Sequence, residues 1–189
     1  MTHSQQPLVF NTRGNIELLS QNRLALFASQ EFPEELRADL DEFFGCLLHL
    51  PLGLAGGWQS PLERQLYARF HASMQANVIH YFARDINQLV LTPLQSRLME
   101  KGKLLMIAPD TGSPRVSKAL VKKRDRLLFA QNRKICFLFI RPGGMLEQYF
   151  AELLQTGHAV YVFDHKVNEK FKMAGAIPLT MDDLEVLQA

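Results

Sequence analysis

Six short apolar segments recur about every 25 residues along this chain of 189 residues, and amphipathic stretches of ten or more residues separate most of them. A short apolar run is typical of a strand buried on both faces, whereas the longer stretches have the period of helices. Strand, helix and strand in this order form a crossover between parallel strands. The sequence therefore predicts an α/β fold, a doubly wound, Rossmann-like, mostly parallel sheet of about six strands with helices on both faces. The expected strands are 24–29, 50–56, 77–83, 104–109, 134–140 and 159–164, and the expected helices are 34–46, 61–74, 92–102, 114–130 and 145–156.

The composition fits one sizeable domain. Hydrophobic residues make up 47% of the chain, and no low-complexity tract divides it, so we expect residues 1–189 to form a single domain with a less regular N-terminal arm at 1–22. The net charge of +2 favours neither nucleic acid nor an anionic membrane over the whole surface, so any polyanion would need a local patch. We expect no membrane span, and no secretory leader is evident. Cys46 and Cys136 lie in apolar runs, where buried, reduced thiols fit a cytoplasmic protein.

The loops that follow the predicted strands are the expected ligand-binding positions, because ligands of doubly wound sheets bind at the carboxyl ends of the strands. Three of these loops contain glycine, which lets a ligand approach the backbone, and the next helix offers free N–H groups to an anion. Arginine and serine side chains accompany them. The loops are 29–33, 56–61, 83–88, 109–115 and 141–145, with Ser60, Ser113, Arg84, Arg115 and Arg141 at or near the same edge.

Several established site types are not encoded. The chain has no G-x-G-x-x-G after its first predicted strand and no G-x-x-x-x-G-K-[ST], which argues against an ordinary dehydrogenase or a P-loop enzyme. His49, His71 and His80 have no metal-ligand spacing, so we expect neither a metal ion nor a cofactor. A plain turn remains the alternative for each glycine pair.

The segment 116–134 is strongly basic, and Asp125 is its only acidic residue. Such a segment could bind the phosphates of a polyanion. It could equally be the solvated face of an amphipathic helix, and the two interpretations are compatible. Its cations are Lys118, Lys122, Lys123, Arg124, Arg126, Arg133 and Lys134, and the residues expected to face inward are Leu120, Val121, Leu127 and Leu128.

The order of these loops resembles the Rossmann-like domain of the DNA-processing protein A (DprA, or Smf) family and the wider SLOG superfamily, from about residue 24 to residue 187. GLAGGWQSPLERQLYARF stands where DprA proteins have their glycine-rich loop, and Arg124-Asp125-Arg126 resembles their Arg-Asn-Arg run. RPGGMLEQYFAELLQTGHAVYVF parallels the loop, helix and strand that follow, and Asn168 with Gly175-Ala176 resembles the family's ending.

The chain departs from the family pattern at three places. Ala28-Ser29-Gln30 replaces the Gly-Ser-Arg of DprA proteins, and Asp125 replaces the middle Asn of their Arg-Asn-Arg. The LOG enzymes of the superfamily carry P-G-G-x-G-T-x-x-E. Here Pro142-Gly143-Gly144 is kept, the Gly-Thr is missing, and Glu147 comes three residues early. A stand-alone, diverged SLOG domain is what the resemblance implies.

The resemblance implies a protein that binds a nucleotide or single-stranded DNA, with a role in DNA processing, uptake or recombination, a recombinase-type partner and self-association as a homodimer. A LOG-like phosphoribohydrolase of nucleoside monophosphates is one alternative, with Glu147 as its catalytic residue and Arg126 or Arg141 holding phosphate. A small-nucleotide sensor is another. Whether the protein is an enzyme stays open, although a binding protein is favoured. The expected ligand-binding residues are Ser29, Gly56, Gly57, Trp58, Ser60, Arg124, Arg126, Arg141, Gly143 and Gly144. For Trp58, stacking on a base and packing in the core are both open.

Overall fold

The computed structural model describes residues 9–73 and 75–188. Strands and helices alternate through most of this range, as the sequence predicts. The strands are β1 Phe10–Gly14, β2 Arg23–Ala28, β3 Gly53–Gly56, β4 Asn77–Tyr81, β5 Leu104–Pro109, β6 Lys134–Phe139, β7 Ala159–Phe163 and β8 Ile177–Leu179. The helices are α1 Leu36–Leu48, α2 Pro61–Arg69, α3 Pro93–Glu100, α4 Lys118–Gln131, α5 Met145–Gln155 and α6 Glu169–Met173.

All eight strands form one sheet in the order β1-β5-β4-β3-β2-β6-β7-β8. Every neighbouring pair is parallel except β1 and β5, which are antiparallel. From β2 the chain builds outward through β3, β4 and β5, then returns to the other side of β2 with β6 and continues to β7 and β8. The strand order therefore reverses between β2 and β6, which is the place where a doubly wound sheet leaves a crevice for a ligand.

Each face of the sheet is covered by its own helices. On one face Phe43 of α1, Leu62 of α2 and Leu98 of α3 belong to one buried cluster. On the other face Leu128 of α4 and Phe150 of α5 belong to a second cluster. Because alternate residues of each strand point to opposite faces, the same strands supply both clusters. The doubly wound α/β fold predicted from the sequence is confirmed.

The sheet has two more strands than the six predicted. β1 lies within the segment expected to be an irregular arm, and Arg13 anchors it by donating from Nη1 to the carbonyl oxygen of Leu89 over 2.7 Å. An edge strand is solvated along one side and can carry polar residues. The sequence of β1 therefore lacks the apolar run by which the central strands were predicted. β8 has only three residues and contains Pro178, a residue that is confined to sheet edges. Residues 1–8 of the expected arm lie outside the described residues.

The two cysteines differ in their surroundings. Cys136 on β6 is fully buried, as predicted, whereas Cys46 on α1 is only half-buried. None of the helices formed by residues 9–73 and 75–188 has the length and apolarity that crossing a bilayer demands.

Candidate functional site

A cleft of about 380 Å³ opens at the switch point, between the carboxyl ends of β2 and β6. The loops that follow these two strands are joined there. The Ser29 backbone N–H donates to the carbonyl oxygen of Phe139 over 3.0 Å, and the Ser29 hydroxyl accepts the backbone N–H of Arg141 over 2.8 Å. Ser29 thus holds the mouth of the cleft together, while α4 and α5 form its walls on one face of the sheet.

The mouth carries one exposed ion pair. Arg141 Nη1 lies 2.7 Å from Glu31 Oε2, and the two side chains keep 59% and 75% of their surface exposed. Such a pair contributes little to stability, so Arg141 can exchange Glu31 for a phosphate at small cost. Next to it lies Gly144, the N-cap residue of α5, which has no capping side chain. The amino end of this 11-residue helix adds a partial positive charge at the same rim, and Glu147 in its first turn offsets part of that charge.

The floor of the cleft is formed by the buried Arg124 and Asp125 of α4 and the half-buried Tyr149 of α5. Asp125 Oδ1 accepts the Arg124 Nε–H over 2.8 Å, and it also lies 2.7 Å from Arg124 Nη2 in an ion pair. The Tyr149 phenol lies beside the same carboxyl and acts to lower its pKa. Burial raises the pKa of the Asp125 carboxyl, and the neighbouring Arg124 opposes that shift. Burial, with the Asp125 charge beside it, raises the pKa of Tyr149 to about 12, so its phenol stays protonated at neutral pH.

Glu63 closes the same cleft from the β3 side. Its Oε1 accepts the backbone N–H of Ala28 over 2.9 Å, and its Oε2 accepts that of Gln59 over 2.8 Å. The hydroxyl of Ser60, the N-cap residue of α2, accepts the Glu63 backbone N–H. Burial raises the pKa of the Glu63 carboxyl, although these hydrogen bonds oppose it. Since both carboxyl oxygens are occupied, Glu63 fastens the start of α2 to the end of β2.

Gly57 lets Arg124 reach this position. A Cβ atom at Gly57 would lie 2.3 Å from Arg124 Nη1 and 2.7 Å from Arg124 Cζ. Real Cβ contacts do not come under 3.0 Å, so a side chain at position 57 would force the Arg124 guanidinium to shift. The absence of a side chain at Gly57 therefore lets Arg124 keep its place beside Asp125.

The fold matches two solved structures of DNA processing protein A. The Streptococcus pneumoniae protein superposes with a TM-score of 0.75 at 12% identity, over 94% of this chain and 65% of that protein. The Helicobacter pylori protein, described for its unique single-stranded DNA binding mode, superposes with a TM-score of 0.72 at 11% identity, over 96% of this chain and 87% of that protein.

This chain has a DprA-like fold. The resemblance inferred from the loops is confirmed at the level of the fold, which is what a likeness at these identities shows. The chain spans about two thirds of the S. pneumoniae protein's length. No protein-family model matches the sequence, and no curated protein matches it either.

Trp58 lies in the core of the DprA-like fold. It keeps only 4% of its surface exposed and packs against Tyr67 and Phe70, with ring centroids 5.4 Å and 5.6 Å away. Its backbone has a φ of 54°, which is unusual for a side chain of this size, and its Nε1 has no hydrogen-bond partner among the described residues. Of the two alternatives for Trp58, the structure shows packing in the core. The indole ring presents no face to a base in this conformation.

Two further predicted residues are fully buried. Ser60 is fully buried and serves as the cap of α2, so its hydroxyl does not face the cleft. Gly56 lies under Trp58, whose ring atom Cε2 would be 3.2 Å from a Cβ at this position. Of the glycine-rich loop 56–61, only Gly57 and Gln59 line the cleft.

The neighbouring His80 is also buried, and burial together with Arg124 lowers its pKa to about 3, so it is neutral at physiological pH.

Glu147 lies outside the cleft, although its helix forms one wall. Its carboxylate accepts the backbone N–H of Gly143 over 2.5 Å and forms an ion pair with Lys170. These two contacts hold the pKa of the carboxyl below its usual range. Gly143 has a φ of +77°, as the tight turn before α5 requires. Glu147 thus stabilises the 141–145 loop, and an ionised carboxylate is a poor proton donor.

Arg126 and Arg124, expected to act together, point in opposite directions. Arg126 is exposed on the outer side of α4, whereas Arg124 is buried in the cleft floor. The positions follow from helix geometry, because residues two apart lie on opposite sides of a helix.

Three residues of the site were not among the predicted site residues. Glu63 and Tyr149 were predicted only as members of the helices 61–74 and 145–156, and Asp125 only as the acidic residue of the basic segment. The Ser-x-x-Glu spacing at 60–63 did indicate a capping box. No local pattern could indicate Tyr149, because its contact with Asp125 depends on how α5 packs against α4.

A second concavity, of about 460 Å³, lies beyond the ends of β4 and β5, against Arg84, Asp85 and Gly112. Although it is larger, its walls are half-buried or exposed loop residues. The smaller cleft has buried charged groups and lies at the switch point, so we take it as the candidate site. Within the described residues, no group of histidine, cysteine and acidic side chains is arranged to hold a metal ion.

Proposed function

We propose that the protein binds single-stranded DNA, with the sugar–phosphate backbone along the mouth of the switch-point cleft. The observation that carries the proposal is the rim, where Arg141, the Ser29 loop and the open amino end of α5 converge around a cavity of suitable size. The H. pylori protein of like fold is described as binding single-stranded DNA, which adds support.

The exposed side of α4 supports the same proposal. Lys118, Lys122, Lys123 and Arg126 are all exposed on it, and the helix's only acidic residue, Asp125, is buried. Lys118, Lys122 and Arg126 follow one another at intervals of four residues, which aligns them along one side of the helix. A row of cations beside the cleft is what a chain of phosphates requires, and its contribution would fall as salt rises.

Nucleotide hydrolysis is less well supported by the geometry. The expected catalytic residue, Glu147, is engaged by Gly143 and Lys170 and does not line the cleft. A small-nucleotide sensor would bind a mononucleotide at the same rim and would not need the row of cations on α4. Binding of a mononucleotide is therefore one of the outcomes that the test below distinguishes.

The proposal can be tested by fluorescence anisotropy with a labelled single-stranded oligonucleotide over a series of salt concentrations. We expect Arg141→Gln to weaken binding several-fold and to lower the slope of log K against log salt by about 1, the amount expected for one phosphate contact. The matched control is Arg133→Gln. Arg133 is also exposed, but it precedes β6 and so lies at the opposite edge of the sheet.

Three results would count against the proposal. Binding that does not depend on salt, or that Arg141→Gln and Arg133→Gln weaken equally, would exclude the rim as a phosphate site. A rise in melting temperature with AMP, without any affinity for the oligonucleotide, would indicate a mononucleotide sensor. Release of adenine from AMP that Glu147→Gln abolishes would establish the hydrolase.

A further inference from the structure

We propose that two copies of this chain join along the outer edge of β1, so that two eight-stranded sheets become one continuous sheet across a twofold axis. The surface is a different one from the proposed DNA site. β1 is the last strand of the sheet, and β5, β4 and β3 separate it from β2, so the switch-point cleft stays open in such a dimer.

The outer side of β1 presents backbone groups that no described strand uses. On its inner side the Val9 carbonyl oxygen accepts the N–H of Asp110 over 3.0 Å, and the Asn15 N–H donates to the carbonyl oxygen of Leu104 over 2.9 Å. Hydrogen-bonded and non-hydrogen-bonded pairs alternate along an antiparallel ladder, so the odd-numbered residues bond to β5. The residues whose N–H and C=O groups turn outward are Phe10, Thr12 and Gly14.

The two edges of the sheet differ in their protection. Exposed edge strands usually carry a feature that blocks pairing, such as proline, lysine, a bulge or a very short length. β8 has two of these, since it has three residues and contains Pro178. β1 has five residues, no proline or lysine, and an unbroken register with β5. Its one charged side chain, Arg13, donates to the carbonyl oxygen of Leu89. β1 is therefore the edge that is open to another strand.

The sequence of β1 fits a second copy of itself. With the axis at Thr12, antiparallel pairing places Thr12 opposite the partner's Thr12, and Phe10 opposite the partner's Gly14. The pair of Phe10 and glycine occurs twice by symmetry. An aromatic ring covers the backbone that an edge glycine leaves bare, and paired threonines are favourable neighbours across strands.

The charges beside the strand are complementary in the same register. Arg13 stands opposite the partner's Asn11, and within each copy Asn11 Nδ2 donates to Asp110 Oδ1 over 3.3 Å. The guanidinium of one copy thus approaches the Asp110 carboxylate of the other, and the contact occurs twice. Neither Arg13 nor Asp110 has an ion-pair partner within residues 9–73 and 75–188, so both charges are available.

Exposed apolar side chains lie at this edge as well. Val9 keeps 67% of its surface exposed and Phe10 keeps 36%. Val90, which is 87% exposed, follows Leu89, the residue that binds Arg13. Single exposed apolar residues are ordinary, whereas a group of them beside an unpaired strand marks an interaction surface. Pairing of two copies would shield this group from water.

Sedimentation velocity between about 1 and 100 µM tests the proposal, in the range expected for a small interface. We expect the mass of the unaltered protein to rise with concentration to twice that of the monomer and no further, because a twofold contact closes. Thr12→Pro removes the outward N–H at the axis, and edge strands tolerate proline there. This variant should dimerise at least about tenfold more weakly, because it loses the central pair of hydrogen bonds.

The matched control is Ile177→Asp, which alters an exposed residue of the opposite edge strand and should leave dimerisation unchanged. Cysteine substitution keeps the proposal testable if Thr12→Pro fails to fold. Facing residues in this register have Cα atoms about 5.5 Å apart, a separation that a disulfide spans. Under mild oxidation Thr12→Cys should therefore cross-link two copies, whereas Ile177→Cys and the unaltered protein should not.

A protein that stays monomeric over the whole range would overturn the inference. A dimer that Thr12→Pro leaves intact would overturn it as well, whether or not Ile177→Asp separates that dimer. Growth beyond twice the monomer mass would mean a contact that does not close, which is a third contrary result. The proposed function fails separately, because its loss would appear in the anisotropy titrations and not in sedimentation.

Discussion

At the scale of single residues, the floor of the cleft depends on a position that carries no side chain, the glycine at 57. Gly57 leaves the space in which the Arg124 guanidinium lies, and Arg124 in turn neutralises the buried carboxylate of Asp125. Although an arginine tip is flexible, moving it here would separate it from Asp125 and leave a buried charge unpaired. Gly45, by contrast, lies within α1 with nothing near its would-be Cβ.

We expect Gly57→Ala to lower the free energy of unfolding by about 1–3 kcal/mol, the usual cost of forcing an extra group into a packed interior. Gly45→Ala should raise it by about 0.5–1 kcal/mol, because alanine loses less conformational entropy than glycine in a helix. Urea unfolding of both variants measures the two values. A Gly57→Ala variant as stable as the original protein would show that Arg124 can relocate freely.

At the scale of elements, α4 places the charged residues of one basic segment on two different sides, one buried and one exposed. The sequence of this segment suggests a uniform patch, and it left open whether the patch binds phosphate or is merely solvated. In the helix, Arg124 and Asp125 turn inward to the cleft, while Lys118, Lys122 and Arg126 stay outside. Only the outer set is available to a polyanion.

Replacing Lys118, Lys122 and Arg126 together by glutamine should weaken binding of single-stranded DNA and lower the salt slope by about 2–3, if each cation meets one phosphate. The control with the same loss of charge replaces the exposed cations Arg97, Lys101 and Arg133, which lie outside α4, although Arg133 follows its carboxyl end. Anisotropy titrations at several salt concentrations compare the two proteins. Equal losses would mean that only net charge matters, which would remove α4 from the proposed path.

At the scale of the whole molecule, the sheet couples the two cores. β2, β3, β4, β5 and β6 each place residues in both buried clusters. Neither set of helices can then separate without exposing strands that the other set also covers. We propose on this ground that the chain behaves as one cooperative unit, as expected for a single domain.

Urea unfolding should accordingly follow one transition, with the same midpoint by tryptophan fluorescence and by far-ultraviolet circular dichroism. The chain has one tryptophan, Trp58, and it lies in the cluster on the α1–α3 side. Fluorescence thus reports on one core, and circular dichroism reports on all helices and strands. A fluorescence midpoint clearly below the dichroism midpoint would show that this side unfolds alone.

Much of the architecture could be predicted from the sequence, because central parallel strands are apolar on both faces and stand out as runs such as ICFLF. The two edge strands could not, since an edge strand carries polar residues or is very short. In the site, Ser29, Gly57, Arg124 and Arg141 were predicted and the structure brings them to one cleft. Gly144 lies there too, whereas Trp58, Ser60 and Arg126 do not.

The sequence by itself determined the doubly wound fold and the loops that meet at its edge, because hydrophobic period and glycine position are local properties of the chain. Only the tertiary structure decided what those loops enclose. The rotation of α4 buried Arg124 beside Asp125 and left Arg126 in solvent, and the packing of α5 brought Tyr149 to the same carboxylate. Contacts between residues 24 positions apart depend on the angle and distance between two helices, which no local pattern specifies.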